Sequence, residues 1–153
     1  MGLNSNAPLV SIVIPSYEQG RFINETIRSC LEQDYRPIEI LVVDGASTDE
    51  TVSILRSFEV PELRWWSEPD GGVVDAVNRG LARARGNIFT IQSSDDLFLP
   101  GALKTMVSTM LAAPKPGLVY GDVELIDANS RVIGRDVQDD FDFSAYLGRL
   151  QYI

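Results

Sequence analysis

Short apolar segments alternate with longer amphipathic segments along this sequence, and that alternation constrains the fold more than any other feature. Three of the short segments are rich in β-branched residues and are typical of buried strands: Leu9–Ile14, Ile38–Val43 and Ile88–Gln92. The segment Leu63–Trp66, with two adjacent tryptophans, is also predicted to be a strand. Helical periodicity and helix-start signals predict helices over Arg21–Gln33, from Ser47 to Phe58, over Val73–Arg85 and after Pro100. Strands that alternate with helices indicate an α/β fold, with a mostly parallel sheet covered by helices on both faces.

The last third of the sequence has a different pattern. Val123–Ile126 and Arg131–Gly134 are separated by turn-forming residues and predict a β-hairpin. The segment Asp139–Ile153 is rich in aromatic residues and contains no signal that ends an element. We therefore expect a single domain over residues 1–153 whose fold continues past Ile153.

Composition and charge exclude several classes of function. Of the 153 residues 44% are apolar, which suffices for a core, and no apolar run approaches the roughly 20 residues of a membrane-spanning helix. The formal net charge of −9 argues against a nucleic-acid partner, because such proteins rely on clustered positive charge. The sequence has no histidine, which excludes histidine-dependent nucleophiles and histidine-ligated zinc.

The single cysteine and the N-terminus bear on the compartment. Cys30 lies among apolar residues and cannot form an internal disulfide, so we expect a buried thiol in a reducing compartment. The first residues carry neither a basic region nor a long apolar segment, which argues against a secretory signal. We expect a cytoplasmic protein, and we leave open whether it associates with the inner face of a membrane or with copies of itself.

Polar and acidic residues follow the predicted strands. These segments are Pro15-Ser16-Tyr17-Glu18, Asp44-Gly45-Ala46-Ser47, Ser67-Glu68-Pro69-Asp70 and Ser94-Asp95-Asp96. Because the carboxyl ends of parallel strands meet at one edge of the sheet, where ligands bind, we expect the acidic groups to converge there. A divalent cation relieves the repulsion among carboxylates, and oxygen ligands favour Mg²⁺ or Mn²⁺.

The sequence lacks the motifs of two common nucleotide sites. No Gly-x-Gly-x-x-Gly follows the first strand and no Gly-Lys-Ser/Thr occurs, so neither a dinucleotide fold nor a P-loop is supported. A nucleoside diphosphate would instead need a metal bridge between Asp96 and its phosphates. The Asp44 carboxylate can accept a hydrogen bond from a ring N–H, which uracil and guanine have and adenine and cytosine lack, and Tyr17 can stack on the base.

Four segments, in this order, resemble the successive signatures of family 2 glycosyltransferases. They are Val10–Tyr17, Val42–Asp49, Asp70–Gly80 and Ser94–Asp96, and the resemblance extends from Leu9 to Gly134. The four ordered motifs are highly specific together, whereas each alone is weak. The resemblance implies the Rossmann-like GT-A fold, of which this chain would carry the N-terminal, nucleotide-sugar-binding part.

The same resemblance implies a nucleoside pocket. Pro15, Tyr17 and Asp44 would line that pocket, next to the base and ribose of the donor. Glu18 is a further candidate nucleotide-binding residue, and because it stands where the family commonly has an asparagine after the tyrosine, the kind of contact it makes is left open.

The resemblance also implies the residues that border the rest of the donor. Asp75, Asn78 and Arg79 would lie beside the donor pyrophosphate or sugar. Asp95 and Asp96 resemble the metal-binding acidic motif of the family, with Asp95 nearer the ribose and Asp96 on a Mn²⁺ or Mg²⁺ ion.

The activity implied by the resemblance is transfer of a sugar with inversion. A base removes the proton of the acceptor hydroxyl as it attacks the sugar, while the metal stabilises the leaving diphosphate. The catalytic base of the family is an acidic residue in the acceptor-binding half, so we expect it beyond Ile153. The donor would be a UDP- or GDP-sugar, and the acceptor a glycan or lipid-linked molecule in cell-envelope polysaccharide biosynthesis.

Other interpretations of the residues stay open. A catalytically silent nucleotide-sugar-binding or self-associating module would use exposed rings in the tail, at Phe141, Phe143 and Tyr146. A nucleotidyltransferase or a receiver domain fits less well, because the first strand is followed by neither a Gly-rich basic loop nor an acidic pair. The Ser47-Thr48-Asp49 segment is interpreted as helix-capping rather than catalytic.

Overall fold

A computed structural model describes residues 7–114 and 117–137 of the chain. The elements, in chain order, are β1 (Val10–Ser16), α1 (Ile23–Leu31), β2 (Ile38–Asp44), α2 (Thr51–Ser57), β3 (Leu63–Ser67), α3 (Val73–Arg83), β4 (Ile88–Ile91), α4 (Ala102–Ala112), β5 (Val123–Ile126) and β6 (Val132–Asp136). The chain divides into two units, Met1–Val107 and Ser108–Ile153, which are described separately. Within the described ranges, no helix has the length and apolar character needed to cross a membrane.

The first unit is built on a four-stranded parallel sheet. Its strand order is β3-β2-β1-β4. The register pairs Ser16 with Asp44 and Asp44 with Ser67, so β1, β2 and β3 end side by side. The central strands β1 and β2 are buried along their whole length, which explains their nearly continuous apolar sequences. The predicted α/β fold with a parallel sheet is confirmed.

Helices pack on both faces of this sheet. On one face the core includes Ile23 and Cys30 of α1, and burial raises the pKa of the Cys30 thiol to about 12, in agreement with the expected buried thiol. On the opposite face Gly80 of α3 lies over Val13 and Val43. A Cβ at position 80 would overlap the Val13 side chain, so only glycine lets α3 lie this close to the sheet.

A polar cluster lies at the amino end of β1 and β2, on the α3 face, and we call it the amino-edge cluster. Its centre is the buried Glu39, whose Oε1 accepts hydrogen bonds from Ser11 Oγ at 2.6 Å and from the Arg85 N–H at 2.6 Å. Arg64 Nη2 lies 2.8 Å from Glu39 Oε2, and Ser11 Oγ accepts the Gly86 N–H at 2.9 Å. The cluster thus ties the segment after α3 to the sheet.

The pKa of Glu39 depends on two opposing effects in this cluster, burial and its polar contacts. Burial alone would raise it, but the hydrogen bonds from Ser11 and Arg85 and the charge of Arg64 outweigh burial and hold the pKa below the ordinary glutamate range. Glu39 is therefore a charged group inside the fold, with its partners in place before any ligand arrives.

Helix boundaries differ from the sequence expectation by a few residues. Helix α1 begins at Ile23 rather than Arg21, and α3 ends at Arg83. Helix α2 begins at Thr51, and the capping interpretation of Ser47 is wrong, because the Ser47 hydroxyl donates to a carboxylate oxygen of Asp44 and not to the helix. Asp44, the last residue of β2, lies three positions before Ser47 and accepts its hydroxyl in place of the helix.

The second unit contains the antiparallel pair β5 and β6. Val123 pairs with Asp136, and the Asp127 carboxylate accepts two backbone N–H groups across the turn. The predicted hairpin is confirmed, although its second strand begins at Val132 and extends to Asp136. The aromatic tail residues Phe141, Phe143 and Tyr146 lie outside the described residues, so self-association through that tail stays a prediction.

Candidate functional site

A cleft of about 580 Å³ opens at the carboxyl edge of the parallel sheet. The loops that follow the strands line it, together with the first turn of α3. Of the residues predicted from the sequence, Pro15, Tyr17 and Asp95 line this cleft. The Tyr17 ring is 63% exposed and so presents an apolar surface to anything that enters. The structure therefore brings residues from β1 and from the loop after β4 to one site.

The acidic pair after β4 is exposed. Asp95 lines the cleft and Asp96 follows it, with the Asp96 N–H donating to the Ser93 carbonyl at 3.2 Å in a turn. Neither carboxylate has a hydrogen-bond or ion-pair partner within the part of the chain that the structure describes. Both are therefore available to an incoming ligand.

These carboxylates fit a cation that is shared with a ligand. Among residues 7–114 and 117–137, no three acidic or cysteine side chains group into a closed metal site. Mg²⁺ is commonly held by one or two carboxylates, with substrate phosphates and water completing its shell. Asp95 and Asp96 match that arrangement, because they are exposed, adjacent and without a described partner, although only Asp95 lines the cleft itself.

Asp44 occupies a different environment from the acidic pair. It is buried, and it does not line the cleft, although the next residue, Gly45, does. Its carboxylate accepts hydrogen bonds from the Ser47 N–H at 2.9 Å, from the Ser47 hydroxyl, and from Ser67 Oγ at 2.6 Å. A carboxylate has about four acceptor positions, so one remains. Its contact with a base stays a prediction.

Glu18 connects two loops instead of lining the cleft. Its N–H donates to Ser47 Oγ at 2.8 Å, and its Oε1 accepts the Thr48 N–H at 2.8 Å and the Thr48 hydroxyl at 3.1 Å. The backbone of Glu18 is left-handed, with φ of +54°, which is unfavourable for a residue with a side chain. The hydrogen bonds across the two loops hold this conformation, so Thr48 is a loop contact rather than a helix cap.

A second connection reinforces the same two loops. Asp49 Oδ2 accepts the Gly20 N–H at 2.8 Å, while Asp49 Oδ1 accepts the N–H of Thr51, the first residue of α2. Burial tends to raise the pKa of Asp49, but its hydrogen bonds with Thr51 and Gly20 hold that pKa below its ordinary range. Asp49 therefore supports α2, as expected, and also fixes the loop that carries Tyr17.

Asp75 and Arg79 shape the loop between β3 and α3. Asp75 Oδ2 accepts the Gly71 N–H at 2.9 Å and lies 2.7 Å from Arg79 Nη2, and these two contacts hold the Asp75 pKa below its ordinary range. Arg79 Nη1 also donates to the Pro69 carbonyl at 3.1 Å and to Glu68 Oε1 at 3.2 Å. Their binding to a pyrophosphate or sugar stays a prediction.

Asn78, the neighbour of Arg79, is exposed on α3 and does not line the cleft. Its contact with the donor is likewise untested. In the preceding loop, Asp70 lines the cleft. The sequence placed it among the acidic groups expected at this edge of the sheet but did not single it out as a site residue.

An open parallel sheet with a cleft outside the carboxyl ends of its strands defines an α/β protein that binds its ligand at the strand ends. The model of glycosyl transferase family 2 matches residues 11–148, and the chain belongs to this family. The family and the GT-A fold expected from the sequence are confirmed.

Relatives and solved structures agree with this assignment. An uncharacterized glycosyltransferase of Rickettsia bellii is 34% identical over 134 residues, which cover 86% of this chain and 19% of the relative. Glycosyltransferase GlyG of Streptococcus pneumoniae is 35% identical over 101 residues, covering 64% of this chain and 34% of that protein. The chain thus spans only a part of the relatives that it matches.

Among solved structures, the mannosyltransferase PcManGT from Pyrobaculum calidifontis, in complex with GDP-Man and Mn²⁺, is 30% identical with a TM-score of 0.64. The match covers 80% of this chain and 36% of PcManGT. TarS of S. aureus is 26% identical with a TM-score of 0.61, and the match covers 67% of this chain and 19% of TarS.

Proposed function

We propose that this chain is the donor-binding part of an inverting, metal-dependent glycosyltransferase that uses a UDP- or GDP-sugar. The observation that carries the proposal is the cleft, where the exposed ring of Tyr17 and the unpaired carboxylate of Asp95 line the same space. An aromatic surface suits a base, and an unpaired carboxylate pair suits a cation that carries a diphosphate.

The nucleoside would bind next to the loops after β1 and β2. Tyr17 supplies a stacking surface. The hydrogen bonds between the loops after β1 and β2 hold the backbone that carries Tyr17 without a ligand. Asp44 has one acceptor position left for a ring N–H, which favours uracil or guanine over adenine or cytosine. The likeness to PcManGT, which was solved with GDP-Man, is compatible with this class of donor.

The diphosphate would bind at Asp95 and Asp96. When bound there, Mn²⁺ or Mg²⁺ supplies positive charge that stabilises the leaving diphosphate. The chain needs such help, because its net charge of −9 repels a nucleotide. The exposed carboxylates of Asp95 and Asp96 would bind the cation, and PcManGT was itself solved with Mn²⁺.

The acceptor side of the reaction lies outside this cleft in the proposal. We place the catalytic base beyond Ile153, in a region that the longer relatives have in addition to the matched part. The acceptor would be a glycan or a lipid-linked molecule used for cell-envelope polysaccharide, and the reaction would take place in the cytoplasm.

Calorimetric titration tests the donor part of the proposal. UDP, GDP, CDP and ADP are each titrated into the full chain with and without Mn²⁺. We expect UDP or GDP to bind only when Mn²⁺ is present, and Asp96→Ala to weaken that Mn²⁺-dependent binding strongly. Glu59→Ala is the matched control, because Glu59 is an exposed carboxylate in the loop that precedes β3, at the opposite edge of the sheet. Metal-independent binding that survives Asp96→Ala would contradict the proposal.

A further inference from the structure

Helix α1 carries a row of polar side chains, Thr26, Ser29 and Gln33, which we call the α1 polar row. Its members lie three and four positions apart, so they share one face of the helix. Thr26 and Gln33 are buried, and Ser29 is half-buried. All three bind the backbone of the segment between β4 and α4, which we call the acidic-pair loop because it bears Asp95 and Asp96.

The first contact lies directly before the acidic pair. Thr26 Oγ1 donates to the carbonyl of Ser94, the residue before Asp95, at 2.9 Å. A threonine inside a helix can instead bond the carbonyl four residues earlier, but here that carbonyl, of Phe22, lies 3.5 Å away. A hydroxyl has one proton to donate, and the shorter contact assigns it to the loop.

The other contacts lie after the acidic pair. Ser29 Oγ accepts the Phe98 N–H at 3.1 Å, and Gln33 Nε2 donates to the Leu99 carbonyl at 3.1 Å. Gln33 Oε1 accepts the Leu103 N–H at 3.0 Å. Because Leu103 lies in the first turn of α4, Gln33 also satisfies an N–H group that has no acceptor within its own helix.

The α1 polar row therefore fixes the loop on both sides of Asp95 and Asp96 and leaves the two carboxylates themselves without a partner in the described part of the chain. A loop that is already ordered loses less conformational freedom when a ligand binds. Contacts that orient the groups around a metal ion affect its affinity even when they do not touch it.

We propose that Thr26, Ser29 and Gln33 are positioning residues that hold the acidic-pair loop in the geometry that a divalent cation requires. The inference rests on the proposed function, because it requires that Asp95 and Asp96 bind the cation. A merely structural role of the α1 polar row would lower the stability of the fold and leave the cation affinity of the folded chain unchanged.

The variant Thr26→Val isolates the first contact, because valine has nearly the shape of threonine but no hydroxyl. Thr26→Ser is the conservative variant, since it keeps the hydroxyl. Ile27→Val is the matched control: Ile27 is the next residue of α1, is fully buried in the apolar core, and loses a methylene and some stability without changing a hydrogen bond to the loop. Ser29→Ala is a second, independent variant, which removes the acceptor of the Phe98 N–H.

Mn²⁺ is titrated calorimetrically into the unmodified chain and into each variant at a fixed concentration of UDP or GDP, under conditions in which urea denaturation shows that every variant is folded. We expect Thr26→Val and Ser29→Ala to weaken Mn²⁺ binding about tenfold. Thr26→Ser should bind Mn²⁺ nearly as well as the unmodified chain, and Ile27→Val should bind it equally well.

Hydrogen exchange tests the loop itself without metal or nucleotide. The Asp96 N–H is bonded to the Ser93 carbonyl within the loop, so its exchange rate reports on the order of this segment. We expect this N–H to exchange faster in Thr26→Val than in the unmodified chain and in Ile27→Val. An unchanged rate in Thr26→Val would overturn the inference.

The titrations separate the inference from the proposed function. If the unmodified chain binds no Mn²⁺ with either nucleotide, the proposed function fails and the inference fails with it. If the unmodified chain binds Mn²⁺ and both Thr26→Val and Ser29→Ala bind it as tightly, only the inference is overturned. An equal loss of affinity in Thr26→Val and Ile27→Val also overturns it, because the loss would then follow stability and not the contact with the loop.

Discussion

The two edges of the parallel sheet differ in whether they leave carboxylates without partners from the chain. At the amino edge, Glu39 is buried with every contact supplied by the chain, including the charge of Arg64. At the carboxyl edge, Asp95 and Asp96 are exposed and unpaired within the described residues, and Asp70 has one free oxygen. The difference indicates that the amino-edge cluster contributes to stability, while the carboxyl edge keeps carboxylate oxygens whose partners a ligand would supply.

The largest effect is expected from removing the centre of the amino-edge cluster. Glu39→Ala leaves Arg64 without its partner and the Arg85 N–H without its acceptor, so we expect the free energy of unfolding to fall by about 3 kcal/mol. Urea denaturation measures this change, with Glu59→Ala as the control. A loss no greater than that of the control would contradict the structural role of this edge.

The converse result is expected at the carboxyl edge. Asp96→Ala should weaken Mn²⁺-dependent nucleotide binding about 100-fold, which corresponds to about 2.7 kcal/mol. The same variant should change the free energy of unfolding by less than about 0.5 kcal/mol, because the side chain has no described partner to lose. Calorimetry and urea denaturation of one preparation give both numbers. Large destabilisation by Asp96→Ala would break the contrast between the edges.

Glu18 sharpens the comparison, because it is a carboxylate at the carboxyl edge that the chain does satisfy. Glu18→Ala removes the acceptor of two hydrogen bonds from Thr48, and we expect a loss of about 1.5 kcal/mol in the free energy of unfolding. Glu18→Gln retains a side-chain oxygen and should recover part of that loss.

Urea denaturation compares the two Glu18 variants with Glu32→Ala, which changes an exposed carboxylate next to α1. If Glu18→Ala were no less stable than this control, the two loops would be held by other contacts.

The smallest expected effect is the pH dependence of the amino-edge cluster. The pKa of Glu39 is lower in the folded chain than in the unfolded chain, so its ionised form stabilises the fold at pH values above the ordinary glutamate pKa. That contribution is lost as the pH falls through the lowered pKa. We therefore expect the stability difference between the unmodified chain and Glu39→Gln to be constant near neutral pH and to shrink in acid. A difference that grows in acid would reverse the sign of the assignment.

The strands and helices of the sheet could be predicted because the sequence patterns that define them involve only neighbouring residues. The β-branched runs of β1 and β2 and the period of α1 depend on neighbours within a few residues, and these elements are where the sequence places them. The two edges of the sheet depend on distant partners. Ser67 reaches Asp44 across 23 positions, and Thr48 reaches Glu18 across 30, so no local pattern shows these contacts.

The candidate site was predictable only where a motif resembles a known signature. Tyr17 and Asp95, which the motifs single out, line the cleft, and their contact with a ligand stays a prediction. Asp70 was expected at this edge only as one of several acidic groups, because its orientation depends on the glycine turn that follows it. Ser47 was misinterpreted because its spacing suits a helix cap, yet the carboxylate of Asp44 competes for the same hydroxyl. The two residues are only three positions apart, so the capping rule failed here because a second local acceptor takes the hydroxyl.

Because α3 packs closely against the sheet at Gly80, its distance from the sheet affects the position of its first turn at the cleft. Gly80 lies eight positions after Gly72 at the cleft, a span of about 12 Å along a helix. A methyl group at position 80 would push α3 away from the sheet. Because a helix is stiff, its first turn, which lines the cleft, would move as well, although residue 80 does not line the cleft itself. Variants designed to change the donor preference should therefore keep Gly80 and change the residues that line the cleft.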